Sequence, residues 1–188
     1  MIRKLSSKSI NPHISALKAV FAQATRPIQW LVIAHNDPRL VSSLVSAFDG
    51  QSAAVLQVSQ DTWDFDSKDF KEMIEWALHQ GDIRDVVLVG SSQPNGATSR
   101  ASLVTARPNA PEKGGYARLL ARLRQHNAHM SEVQEEFADH VQKLSQLPVV
   151  RGCWSLGQLA VSGLFYRAET GLFLHYDAAA NTFVPLGS

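Results

Sequence analysis

Three short, almost unbroken apolar runs, each set off by a stretch of helical periodicity, constrain this chain more than any other feature. They are Ile28–Ala34 (IQWLVIA), Ala53–Ser59 (AAVLQVS) and Asp85–Ser91 (DVVLVGS). Apolar runs this short, with little polar alternation, mark strands covered on both faces. The segments around them read as helices. Ile14, Leu17, Val20, Phe21 and Ala24 share one face, with Asn11 as cap and Pro12 in the first turn. Leu40, Val41, Leu44, Val45 and Phe48 form a second stripe, started by Asp37-Pro38. A third helix runs through DSKDFKEMIEWALHQG, with acids in its first turn and Gly81 near its end. Strand, helix, strand, helix, strand implies parallel pairing with right-handed crossovers.

The second half has a different texture. GGYARLLARLRQHNAHMSEVQEEFADHVQKLSQLP is helical in character, and is expected as two segments broken near Asn127. After Pro148 and VVRGCWSLGQ, the runs LAVSGLFYR and LFLHYD, separated by AETG, predict a hairpin. Ala97 to Gly115 is the most loop-like segment. The predicted class is α/β: a mainly parallel central sheet flanked by helices, with a C-terminal helical and hairpin portion. With 188 residues, no internal repeat and no interdomain linker, residues 1–188 are expected to form one domain, 1–26 being an N-terminal helical arm.

Charge and composition remove several functions. With 18 basic and 17 acidic residues there is no broad electrostatic case for nucleic acid as a partner. The single Cys153 allows neither an intramolecular disulfide nor a Cys-rich zinc site. No apolar run is long enough to span a membrane, and the opening MIRKLSSKSINP has no apolar run behind it. The expectation is a cytoplasmic protein with neither nucleic acid nor membrane as partner.

The stretch VVLVGSSQPNGATS, Val86 to Ser99, has the form of an active-site entrance, a buried strand running into a small polar loop. It does not match a phosphate loop, because Gly90 and Gly96 are one residue too far apart and Ala97 stands where the lysine belongs. It does not match a nucleophile elbow, because Gly90-Ser91-Ser92-Gln93-Pro94 ends in proline. Ser91 and Ser92 are read as turn residues that satisfy backbone groups.

A third comparison fits an ordered set of motifs. His35-Asn36-Asp37-Pro38-Arg39 falls where a C-x-D-x-R motif would follow the first strand, and Gly90 to Ala97 falls where an H-x-x-C motif would follow the third. Glu75-Trp76-Ala77, Pro148-Val149-Val150-Arg151 and Gly163–Leu174 (GLFYRAETGLFL) resemble Glu-Tyr-Ala, Pro-x-Val-Arg and Gly-x-x-Tyr-Asp-x-x-Thr-Gly-x-Leu in turn. In these motifs, from Pro27 to Leu186, the chain resembles the β-class carbonic anhydrases. That family holds zinc with two cysteines and a histidine. Here His35 replaces the first cysteine, Ser91 stands at the histidine, and Asn95, or Pro94 on another placement of the extra loop residue, replaces the second cysteine. Hydroxyl and amide oxygens are poor zinc donors beside thiolate and imidazole.

The resemblance therefore implies the family's fold without its metal: no metal, no cofactor, no catalytic residue, and a remnant pocket of His35, Asp37, Arg39, Ser91 and Asn95. Two readings of the Asp37–Arg39 pair stay open. Arg39 binds a small anion such as bicarbonate with Asp37 governing its availability, or Asp37 caps a helix and pairs with Arg39 to pin the loop. The family closes its active site across a subunit interface, so the resemblance implies a homodimer or higher homo-oligomer. The role expected is structural, regulatory or anion-binding. The alternative is an enzyme reusing the same cleft, either an atypical metal-dependent carbonic anhydrase near His35 or a hydrolase using Ser91 or Ser92. His126 and His129, at i and i+3 on a helix, are read as surface residues. The basic stretch RLLARLRQH is read as a solvated helix face. Trp30, Trp63, Trp76 and Trp154 are read as core or interface anchors and Cys153 as a small buried hydrophobe.

Overall fold

A computed structural model describes residues 12–48, 52–58, 63–80, 82–93 and 115–186, without the side chains of 12, 13, 45, 115–124 and 126. Asn11, Ser59, Gly81, the loop from Ala97 to Gly114, and the side chains of Val45, His126 and most of the basic stretch lie outside the described residues.

The three apolar runs form the central strands. These are β1 (Trp30–His35), β2 (Ala53–Val58) and β3 (Asp85–Ser91). Between them lie α2 (Pro38–Ala47) and α3 (Lys68–Gln80), and α1 (Pro12–Gln23) precedes them. After β3 come α4 (Gly115–Gln146), α5 (Pro148–Ser155), β4 (Ala160–Arg167), β5 (Leu172–Asp177) and β6 (Thr182–Pro185). The sheet order is β2-β1-β3-β4-β5-β6. The first four strands are parallel, and β5 and β6 are antiparallel to their neighbours.

The two faces are covered unequally. Leu31, Ile33, Val86, Leu88 and Phe165 point to a large core that also takes Leu17 of α1, Phe70 and Met73 of α3, Phe137 and Leu144 of α4 and Val150 of α5. Val32, Ala34, Val87, Val89 and Tyr166 point the other way, onto Leu40 and Leu44 of α2. Alternate residues of each central strand thus feed opposite cores, which is why these strands read as continuous apolar runs.

Several expectations are corrected. α4 is one helix with no break at Asn127. Asparagine costs only a few tenths of a kcal/mol more than a good helix former, and the residues around it are mostly helix formers. Met130, Phe137, Val141 and Leu144 continue one buried stripe beyond it. On α1, Val20 is exposed and Ala24 lies past the helix end. α5 begins at Pro148, in the first-turn position that needs no backbone N–H. β6 has no counterpart in the sequence reading, being short, half-exposed and closed by Pro185.

Close approach of α4 to the sheet depends on two glycines. A Cβ at Gly90 would overlap the Phe137 ring, and one at Gly163 would stand 2.7 Å from Val141 Cγ2.

Candidate functional site

The register brings the carboxyl ends of the parallel strands together. His35 pairs with Val58, and Ser91 pairs with Tyr166. In open α/β sheets this is the end at which ligands bind. Four side chains make up the buried polar and charged residues among those described: His35, Asp37, Ser91 and Ser92, at 5, 3, 0 and 5 % exposure. All four sit at this end. Buried polar groups are tolerated where they are hydrogen-bonded, so their bonds define the site.

Asp37 precedes α2 with extended backbone angles, and its Oδ1 accepts the Arg39 amide at 2.9 Å, a helix cap. Its Oδ2 accepts the Ser91 hydroxyl at 3.0 Å. Ser91 Oγ in turn accepts the Gln93 amide at 3.2 Å, and the Ser91 amide donates to His35 Nδ1 at 3.1 Å. The loop after β1 and the loop after β3 are thereby laced together. A second clasp ties the β3 loop to the β4–β5 turn. Ser92 Oγ accepts the Ala168 amide and donates to Glu169 Oε2, each at 2.9 Å, while Gln93 Nε2 reaches Glu169 Oε1 at 3.4 Å.

An imidazole that accepts at Nδ1 is neutral with its proton on Nε2. Burial holds the His35 pKa down at about 4; proximity to His140 adds to this and Asp37 opposes it. The ring stacks on Trp63, centroids 3.9 Å apart, and His140 meets the same indole edge-on at 5.3 Å. His35 Nε2 and Trp63 Nε1 are both buried without a hydrogen-bond partner among the described residues.

No family model matches the sequence, and no curated protein sequence matches it. Solved structures do match. The β-carbonic anhydrase CcaA superposes with a TM-score of 0.57 at 18% identity, over 94% of this chain and 86% of that one. CafA, a β-carbonic anhydrase of the fungal pathogen Aspergillus fumigatus, gives 0.57 at 18% identity, over 87% and 83%. CafD of Aspergillus fumigatus gives 0.52 at 16% identity, over 81% and 91%.

The fold is that of the β-carbonic anhydrases.

On the motif match above, the β-carbonic anhydrase zinc would fall among His35, Ser91 and Asn95. The described residues do not fit it. His35 has its Nδ1 bonded to the Ser91 amide and offers at most its Nε2, Ser91 offers a hydroxyl committed to Asp37, and Asn95 lies outside the described residues. Among the described residues no three His, Cys, Asp or Glu side chains are grouped so as to hold a metal ion. A single imidazole makes no stable zinc centre.

The structure brings together His35, Asp37 and Ser91 and separates Arg39 from them. Arg39 is exposed and joins Asp37 through its backbone amide. The expected Asp37–Arg39 ion pair is absent, the ion pairs among the described residues being Lys68–Glu72 and Lys71–Asp66. The cap direction explains this: Oδ1 faces the first turn of α2, while the arginine side chain leaves toward solvent. Neither serine is arranged as a nucleophile. Each is buried and donates its hydroxyl to a carboxylate, and neither hydroxyl bonds to a histidine.

Trp63, His140 and Glu169 escaped the sequence reading as parts of this site. For Trp63 and Glu169 the signal was positional. Trp63 follows β2, whose end lies beside His35, and Glu169 sits in the turn after β4, whose end lies beside Ser91. Trp154, read as an anchor, is 59 % exposed, and Cys153 is half-buried against the main core.

Proposed function

We propose that this chain uses the β-carbonic anhydrase fold without zinc-dependent carbon dioxide hydration, and serves a structural or regulatory role through assembly with further copies of itself. One observation carries the reading. At the strand ends where the motif match places metal ligands, Ser91 donates its hydroxyl to Asp37 and its amide to His35 Nδ1, and no thiolate stands there among the described residues. Hydration of carbon dioxide at neutral pH needs a metal that lowers the pKa of bound water from about 16 to about 7. Nothing in the His35–Asp37–Ser91 network supplies such a hydroxide. The assembly half of the proposal is supported by apolar side chains left in solvent on β5, β6 and the turn after it. Val184 and Leu186, on one face of the sheet edge, are 40 and 56 % exposed, and Leu172, on the other face, is 55 % exposed.

The test is metal content per chain on untagged protein purified without chelator, with carbon dioxide hydration assayed on the same sample. The expected result is far less than one metal per chain and a hydration rate equal to the buffer blank. Stoichiometric zinc, or hydration abolished by a chelator and restored by zinc, would overturn the proposal.

A further inference from the structure

A second polar feature lies at the same end of the sheet and shares no residue with the His35–Asp37–Ser91 network. Arg167 ends β4, and the register puts it on the sheet face that carries Phe165 and Leu174, the face beneath α4. Its Nε is buried and has no hydrogen-bond partner among the described residues. Arg167 is among the residues that line a groove of about 750 Å³ between α4 and the C-terminal strands. That volume lies within the range of small-molecule sites, about 300–1000 Å³. On the helical wall stand Glu135 and Asp139, one turn apart. Neither pairs with Arg167, the ion pairs among the described residues being Lys68–Glu72 and Lys71–Asp66. Leu174, Phe183 and Pro185 supply an apolar strip in the same groove. Arg167 also reverses the charge of the aspartate in the hairpin motif matched above.

We propose that this groove binds a small zwitterion of the amino-acid type. A half-buried arginine that lines the groove and pairs with no carboxylate among the described residues suits a carboxylate ligand, which arginine takes in a two-pronged, charge-assisted bond. The two wall carboxylates disfavour a phosphate dianion and favour an ammonium group on the same ligand. The apolar strip then takes an aliphatic side chain. None of His35, Asp37 and Ser91 lines the groove, so the proposal stands or falls independently of the hydration assay.

The experiment is an NMR titration of the intact protein with L-leucine, acetate, n-butylamine and inorganic phosphate, following the Arg167 Nε–H signal and the groove amides. L-leucine is expected to give saturable shifts confined to the groove, with acetate, n-butylamine and phosphate each weaker. R167Q should weaken L-leucine about tenfold or more, as loss of a charge-assisted pair requires. R167K keeps the charge without the fork and should lose most of the binding, which decides the matter if R167Q does not fold. The double variant E135Q/D139N should weaken L-leucine while acetate binds as well as before or better, since two negative charges beside it are gone. Absence of saturable shifts, phosphate binding tighter than L-leucine, or R167K and E135Q/D139N both binding like the parent would each overturn the proposal.

Discussion

At the scale of single residues, His35 is the most informative position. It accepts the Ser91 amide only while neutral, and burial holds its pKa at about 4 instead of the usual 6.5. The unfolded chain carries an ordinary histidine and therefore takes up its proton first as pH falls. The sign follows: the unfolded state binds more protons between the two values, so stability falls as pH drops through that window and is complete above it. Complete traversal weakens folding by at most on the order of 3 kcal/mol. His140, whose pKa burial also lowers, acts in the same direction. Urea unfolding should thus show a lower midpoint near pH 5 than near pH 7, and H35Q, whose amide oxygen can still accept from Ser91, should reduce the difference. An H35Q protein with the parent's full pH dependence would assign the effect elsewhere. The residue scale is also where the sequence was least legible. Ser91, read as a turn residue satisfying backbone groups, is instead the last residue of β3, though its Oγ does accept a backbone amide, that of Gln93. That its hydroxyl proton would go to Asp37, or that Trp63 would stack on His35, required the strand register.

At the scale of elements, the seat of α4 decides how closely the sheet is covered. Gly90 and Gly163 leave the space that Phe137 and Val141 fill. G90A should destabilise by about 1–3 kcal/mol, the usual effect of overpacking a core. F137L makes room for the added methyl, so the double variant G90A/F137L should lose less than the sum of the singles. Additive losses, measured by urea denaturation, would show that the methyl is accommodated some other way. Elements with strong periodicity and a clear start were legible beforehand. β1, β2 and β3 lie within a residue or two of the apolar runs, and α2 starts at Asp37-Pro38 as its cap chemistry requires. The hairpin of β4 and β5 was equally clear. The continuity of α4 was not, because a lone Asn weakens a helix too little to end one. β6 was not, because four residues ending in proline give almost no pattern.

At the scale of the whole molecule, the proposed self-assembly makes a direct prediction. Sedimentation at micromolar concentration should give a mass of at least two 20.6 kDa chains, and V184K/L186K should shift the population toward the single chain. A parent protein that stays monomeric across the concentration range would remove the assembly half of the proposal. The sheet order has a consequence of its own for how the molecule is made. β4 docks directly on β3, yet in the chain it comes only after α4 and α5. While a ribosome is still producing those helices, the outer edge of β3 already exists, with its backbone donors and acceptors unclaimed and Val87 and Val89 beside them. At the usual pace of synthesis that interval is on the order of several seconds. An open, apolar strand edge is what aggregation and chaperones both recognise. β4, made only after α4 and α5, is therefore the cover on which safe biosynthesis of β3 depends.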